Sequence, residues 1–197
     1  MPAATRPRLV LASTSRYRRE LLARLGLAFE TAAPGVDESA VAGETPPQLA
    51  MRLARAKAEA ARAAFPDALI IGSDQVAMVG ATRLDKPGTH ARAVEQLLLM
   101  SGRPVAFHTA LCLLNARTSH SQSAIVPVTV HMRELGIEQI ERYLRAEQPY
   151  DCAGSARIEG LGITLVARLE GEDPNALIGL PLIRLCVMLR NEGIELP

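Results

Sequence analysis

Ser13-Thr14-Ser15-Arg16-Tyr17-Arg18-Arg19 lies between an apolar run, Arg8 to Ala12, and leucines at 21, 22 and 25. The spacing predicts a short strand, a turn, and a helix from Arg16 to Leu25 with Ser15 as its cap and Gly26 closing it. A helix N-terminus carries partial positive charge, so each cation there costs about a few tenths of a kcal/mol unless an anion is present. Helical N–H groups, the hydroxyls of Ser13 and Ser15, and the forks of Arg16, Arg18 and Arg19 together suit a phosphate. Arginines splayed into solvent are the plain alternative. The segment lacks Gly-x-x-x-x-Gly-Lys and is not a P-loop.

Oxygen ligands and point charges come next. Leu69-Ile70-Ile71-Gly72-Ser73-Asp74-Gln75 delivers a carboxylate on an apolar strand beside a glycine that permits close backbone approach. Asp74 can serve there as general base or bind a hard cation. The pair Asp37-Glu38 adds oxygens of the kind Mg²⁺ or Mn²⁺ prefers, unless it is a solvated acidic turn. Lys57 and Lys86 are the only lysines among 22 basic residues, which marks them as candidates for a compact charge where a planar fork would not serve. Lys86 stands in the turn Asp85-Lys86-Pro87-Gly88. Lys57 lies on an Ala-rich helix opened by Thr45 and Pro46 and running to about Phe65. At about 100° per residue, Leu49, Leu53, Ala56 and Ala60 share one face and Arg52, Arg55, Glu59 and Arg62 the other. Lys57 falls at the edge, either snorkelling to water or aimed inward at a cleft.

The elements that must hold these groups alternate along the chain. A second strand is expected from Phe29 to Ala33, and another from Ala68 to Val79, interrupted by the polar run Gly72 to Gln75. Thr89 to Met100 reads as a helix, Pro104 to Asn115 and Ser119 to Arg133 as a β-hairpin, and Ile137 to Glu147 as a helix. Asp151 to Arg168 mixes turns and a strand, and Leu180 to Asn191 closes the chain as an apolar helix. Adjacent long strands among helices favour an α/β class with a mixed sheet flanked by helices over a purely parallel layer. No repeat or linker divides the sequence, so residues 1–197 read as a single domain.

With 197 residues, 48% of them hydrophobic, and a formal charge of +1, the chain can bury a core but has no global field for nucleic acid or an anionic membrane. A small anionic ligand fits better. Cys112, Cys152 and Cys186 form no CxxC, and His90, His108, His120 and His131 show no HxxxH or HxH spacing, against a disulfide framework and a zinc hydrolase. No Gly-x-Ser-x-Gly elbow is present. The N-terminus has an apolar run of only about five residues, too short for a signal segment or membrane span. The expectation is a soluble, cytoplasmic protein.

In order and spacing, Ser-x-Ser-x-x-Arg-Arg, Val-Asp-Glu, Ala-Arg-Ala-Lys-Ala, Gly-Ser-Asp-Gln and a Lys-Pro turn resemble the Maf family. Tyr150-Asp151-Cys152-Ala153-Gly154-Ser155, Ile158-Glu159-Gly160-Leu161-Gly162 and Gly179-Leu180-Pro181-Leu182-Ile183 extend the likeness over almost the whole chain, toward the branch that acts on 7-methyl-GTP. The resemblance implies a metal-dependent nucleotide pyrophosphatase, using Mg²⁺ or Mn²⁺, that cuts a nucleoside triphosphate into a monophosphate and diphosphate. Its fold would be two lobes around an elongated sheet with a cleft between them, commonly as a homodimer. It implies Asp74 as proton acceptor, Glu38 with Asp74 at the metal, and Ser13, Arg18, Lys57 and Lys86 around the phosphates. Tyr17, Gln75 and Glu159 would choose the base. Asp85 departs from the family, which usually has Gly there. A dTTP/UTP pyrophosphatase of the same family is the nearest alternative, and a nucleotide-binding regulator of septum formation is the alternative from another class.

Overall fold

Four consecutive buried residues, Leu9–Ala12, form β1. Such a run, with no alternation, belongs to a strand covered on both faces. In the computed structural model, which describes residues 7–197, β1 pairs in parallel with β2 (Glu30–Ala32) on one side and with β3 (Leu69–Val79) on the other. Residues 1–6, part of the N-terminal stretch whose apolar run is too short for a signal segment, lie outside the described residues. Between these strands run α1 (Arg16–Ala23) and α2 (Pro46–Ala61). The chain then forms β4 (Thr82–Leu84), α3 (His90–Met100), β5 (Pro104–Asn115), β6 (Ser121–Met132), α4 (Ile137–Glu147), β7 (Val166–Gly171), α5 (Pro174–Ile178) and α6 (Leu182–Asn191). Sheet order is β2-β1-β3-β5-β6-β7, with β4 antiparallel on β3. It is the mixed sheet flanked by helices that the alternation predicted. The short elements β4 and α5 went unpredicted.

The chain divides into two compact units, with β3, β5 and β6 contributing residues to both. The first comprises the stretch ending at Gln75, Thr109–Val126 and Asp173–Pro197. Its core joins Leu9, Leu11, Leu69, Ile71, Leu111 and Leu113 of the strands to Leu21 and Leu22 of α1 and Leu182, Leu185 and Leu189 of α6. Each such side chain contributes roughly 1.5–3 kcal/mol of burial. The second comprises Val76–His108 and Pro127–Glu172. There α3 packs on α4 and on the turn Ala153–Ser155, with Leu97, Met100, Ile140 and Leu144 fully buried.

Two expectations need correction. The run Gly72 to Gln75 does not interrupt its strand, since β3 is continuous over Leu69–Val79. Its polar side chains meet partners there and need no turn. On α2 the buried face is Leu49, Ala50, Leu53, Ala54, Lys57, Ala58 and Ala61, so Lys57 lies within it, whereas Ala60 is exposed. Gly72 explains the rotation: a Cβ there would lie 2.0 Å from Ala54 O and 2.8 Å from Ala58 N. The helix backbone rests directly on β3 at that glycine.

Candidate active site

Side chains alternate along β3. Gly72 and Asp74 take the side of α2, while Ser73 and Gln75 find partners elsewhere. The Ser73 hydroxyl reaches the carbonyls of Ala110 (2.7 Å) and Gly179 (2.9 Å). The Gln75 amide nitrogen donates among Thr109 Oγ1 (2.8 Å), Ala176 O (2.9 Å) and Leu177 O (3.0 Å). Close packing at Gly72 brings the next turn of α2 to Asp74. Lys57 Nζ donates to Asp74 Oδ1 at 2.6 Å and pairs with Glu38 Oε1 at 2.5 Å. The lysine aimed inward is therefore the arrangement found; Lys57 is only 5% exposed.

Glu38 belongs to the loop between β2 and α2, which its own contacts hold in place. Asp37 Oδ1 accepts the Ser39 N–H at 2.9 Å. Arg52 of α2 donates to Ser39 O at 2.8 Å and forks onto both carboxylate oxygens of Glu44. Thr45, the cap of α2, has its N–H on Gln48 Oε1 at 2.9 Å.

At the head of α1, the Ser13 hydroxyl accepts the Ser15 N–H at 3.1 Å and the Ser15 hydroxyl accepts the Arg18 N–H at 3.4 Å. Ser15 is thus the predicted cap. The three arginines separate. Arg16 stacks over the Tyr17 ring, its Cζ 4.7 Å from the centroid, and Arg19 is exposed. Arg18 turns inward and donates Nε–H to Gly179 O at 2.8 Å, the carbonyl that also accepts from Ser73. Burial lowers the Arg18 guanidinium from its ordinary range, opposed by the negative charges of Asp74 and Glu38. Two cations and two carboxylates thus share one place in the first unit. Arg18, Glu38, Lys57 and Asp74, four residues from four segments, are brought together, while Ser13 stands at the head of α1 with its hydroxyl on the Ser15 N–H.

Lys86 and Glu159 belong to the second unit. Lys86 is exposed, in a turn held by Gly88 N–H on Tyr150 O (3.0 Å) and Gln96 Nε2 on Asp85 O (3.0 Å). Glu159 faces Arg157, Oε1 to Nε 3.4 Å. Sequence reasoning gave no separate role to Ser73 or Gly179, whose hydroxyl and carbonyl link β3 to Arg18 of α1.

Among the described residues no cluster of three or more His, Cys, Asp or Glu could hold a metal by itself. Asp74 and Glu38 nonetheless direct hard oxygens at one cation, the Lys57 ammonium. That donor set fits Mg²⁺ or Mn²⁺, which characteristically takes one or two carboxylates and fills its remaining positions with water and substrate phosphates.

The description of Maf-like proteins matches residues 8–192. This chain belongs to the Maf-like family. It is 59% identical to a 7-methyl-GTP pyrophosphatase of Thiobacillus denitrificans, over 97% of this chain and 95% of that protein. It is 57% identical to one of Methylobacillus flagellatus, over 96% of this chain and 98% of the relative. A solved HAM1 protein from Coxiella burnetii superposes with a TM-score of 0.53, covering 94% of this Maf-like chain and 99% of the other at 16% identity. At that identity the likeness shows the fold alone. No helix among the described residues is long and apolar enough to cross a membrane.

Proposed function

We propose that this Maf-like chain hydrolyses the bond between the α and β phosphates of a nucleoside triphosphate, with 7-methyl-GTP its preferred substrate. The observation that carries the chemistry is the group Asp74, Lys57, Glu38 and Arg18, with Lys57 Nζ between the two carboxylates. The names of the relatives carry the substrate. Asp74 accepts the proton of the attacking water as its oxygen bonds the α phosphorus and the bond to the β-phosphate oxygen breaks. Arg18 and Lys57 take up the charge of the departing diphosphate, Ser13 adds a hydroxyl, and Lys86 is a further phosphate-binding cation on the family resemblance. Glu38 and Asp74 are the residues that would hold Mg²⁺ or Mn²⁺, which when bound neutralises phosphate charge. Residues 1–197 act as one functional domain, in the cytoplasm, with no nucleic acid or membrane partner. A homodimer remains part of the reading.

For the base, guanine offers N1–H and N2 donors side by side, which the Glu159 carboxylate accepts as a pair, whereas uracil and thymine offer one ring N–H. Methylation at N7 makes the ring cationic, favoured by Glu159 and by the face of Tyr17 at roughly 0.5–2 kcal/mol. That Tyr17 already carries the Arg16 guanidinium supports this role. Gln75, next to Asp74 in sequence on β3, is assigned to the same specificity set by the family resemblance.

Purified protein is to be assayed on 7-methyl-GTP, GTP, UTP and dTTP with Mg²⁺, with Mn²⁺ and with chelator, resolving diphosphate from phosphate. The expected result is metal-stimulated release of diphosphate, with kcat/KM highest for 7-methyl-GTP. Release of orthophosphate, or no turnover, sinks the chemistry. A preference for UTP or dTTP sinks only the choice of base, and binding without turnover selects the regulatory alternative.

A further inference from the structure

Glu147, the last residue of α4, has a side chain only 10% exposed and holds one loop at two points. Its Oε1 accepts from Arg157 Nη1 at 2.8 Å and its Oε2 from the Leu161 N–H at 2.9 Å. Gly160 passes between them, where a Cβ would lie 2.6 Å from the same Oε1, so a side chain there would push the carboxylate away. The loop is folded back on Arg157, whose carbonyl accepts from the N–H groups of Gly160 (3.1 Å) and Gly162 (2.9 Å). The Arg157 N–H is in turn bonded to the Tyr143 hydroxyl at 3.0 Å, and that hydroxyl donates to Ser155 O at 2.8 Å. Arg157 is thus fixed at its N–H, its carbonyl and its guanidinium. That guanidinium also pairs with Glu159, Nε to Oε1 3.4 Å, a side chain 23% exposed.

We propose that Glu147 is a positioning residue for base recognition: by claiming the Arg157 fork it sets the place and the effective charge of Glu159. This rests on the reading of Glu159 as the base-contacting carboxylate. One guanidinium is divided between two carboxylates, and the shorter contact goes to Glu147. The Glu159 carboxylate, with the longer contact, is therefore the one left to pair with a cationic purine ring. Without the Glu147 charge the fork is released to Glu159, and a two-pronged arginine–carboxylate pair competes with the base.

Glu147→Gln tests this, read as the ratio of kcat/KM on 7-methyl-GTP to that on UTP. The ratio is expected to fall by about tenfold, a coupling within the range seen for residues in one ion-pair network, while a purely structural role lowers both substrates alike. Glu147→Gln combined with Glu159→Gln should discriminate no worse than Glu159→Gln alone. If Glu147→Gln folds poorly, Glu147→Asp, which keeps the charge but draws the carboxylate back from Arg157, is expected to lower the ratio as well. An unchanged ratio in these variants, with Glu159→Gln collapsing it, overturns the role of Glu147 and leaves the Glu159 reading standing. An unchanged ratio in Glu159→Gln overturns both.

Discussion

Lys57 and Asp74 form a buried ion pair, Nζ to Oδ1 2.6 Å, with side chains 7% and 11% exposed. Both charges are out of water, and Glu38, 62% exposed, gives the lysine a second and wetter partner. The arrangement joins a helix face to a strand at the point where chemistry is proposed. Asp74→Asn should reduce nucleotide hydrolysis by on the order of a thousandfold, since the amide cannot take the proton. It should also destabilise the fold by about 1–3 kcal/mol, less than a fully stranded charge would because Glu38 remains. Paired turnover and thermal unfolding measurements check both; near wild-type turnover removes Asp74 from the mechanism.

Gly72→Ala is expected to cost roughly 3 kcal/mol or more, because the new methyl meets backbone and not a flexible side chain. Moving α2 off β3 also separates Lys57 from Asp74. Protein recovered at low temperature should show both a lowered unfolding midpoint and strongly reduced turnover. A variant as stable and active as the parent would mean that α2 does not rest on β3 at this residue.

Arg18 should govern the response to anions. Phosphate or diphosphate should raise the melting temperature of the wild type, with added salt weakening the effect. Arg18→Ala should abolish most of that rise while keeping the fold. Titrating diphosphate in a thermal-shift series decides it, and an unaltered anion response in the variant places the phosphates elsewhere.

Glu192 gives a pH prediction remote from the site. Its burial raises the carboxyl, but hydrogen bonds from Asn115 (2.7 Å), His120 (2.9 Å) and Gln122 (3.1 Å) outweigh this and leave it lowered. With the folded value below the unfolded one, the contribution is present above the ordinary glutamate range and lost as pH falls through the folded value. Glu192→Gln should therefore be less stable than wild type at pH 7, by about 1–2 kcal/mol. The two should converge as pH falls below about 4. Denaturant unfolding at several pH values tests this; a constant difference down to pH 3 contradicts it.

Local chemistry made much of this protein legible in its residues. The cap at Ser15, the Thr45-Pro46 start of α2, the Thr89 cap of α3 and the long apolar strands are set by neighbours a few positions apart. The motifs, by type and order, were enough to indicate the family and to nominate Asp74, Lys57, Glu38 and Arg18. The face of α2 that is buried was not legible, because alanines line the helix all round and bury equally well either way; the approach of Gly72 to Ala54 decided it. Gly72 to Gln75 resembled a break because polar residues seek local partners, yet theirs are the carbonyls of Ala110, Ala176, Leu177 and Gly179 and the Lys57 ammonium. Those partners lie 17 to 106 positions away. Only tertiary structure sets such contacts, since a buried polar group is satisfied by whatever the fold brings against it.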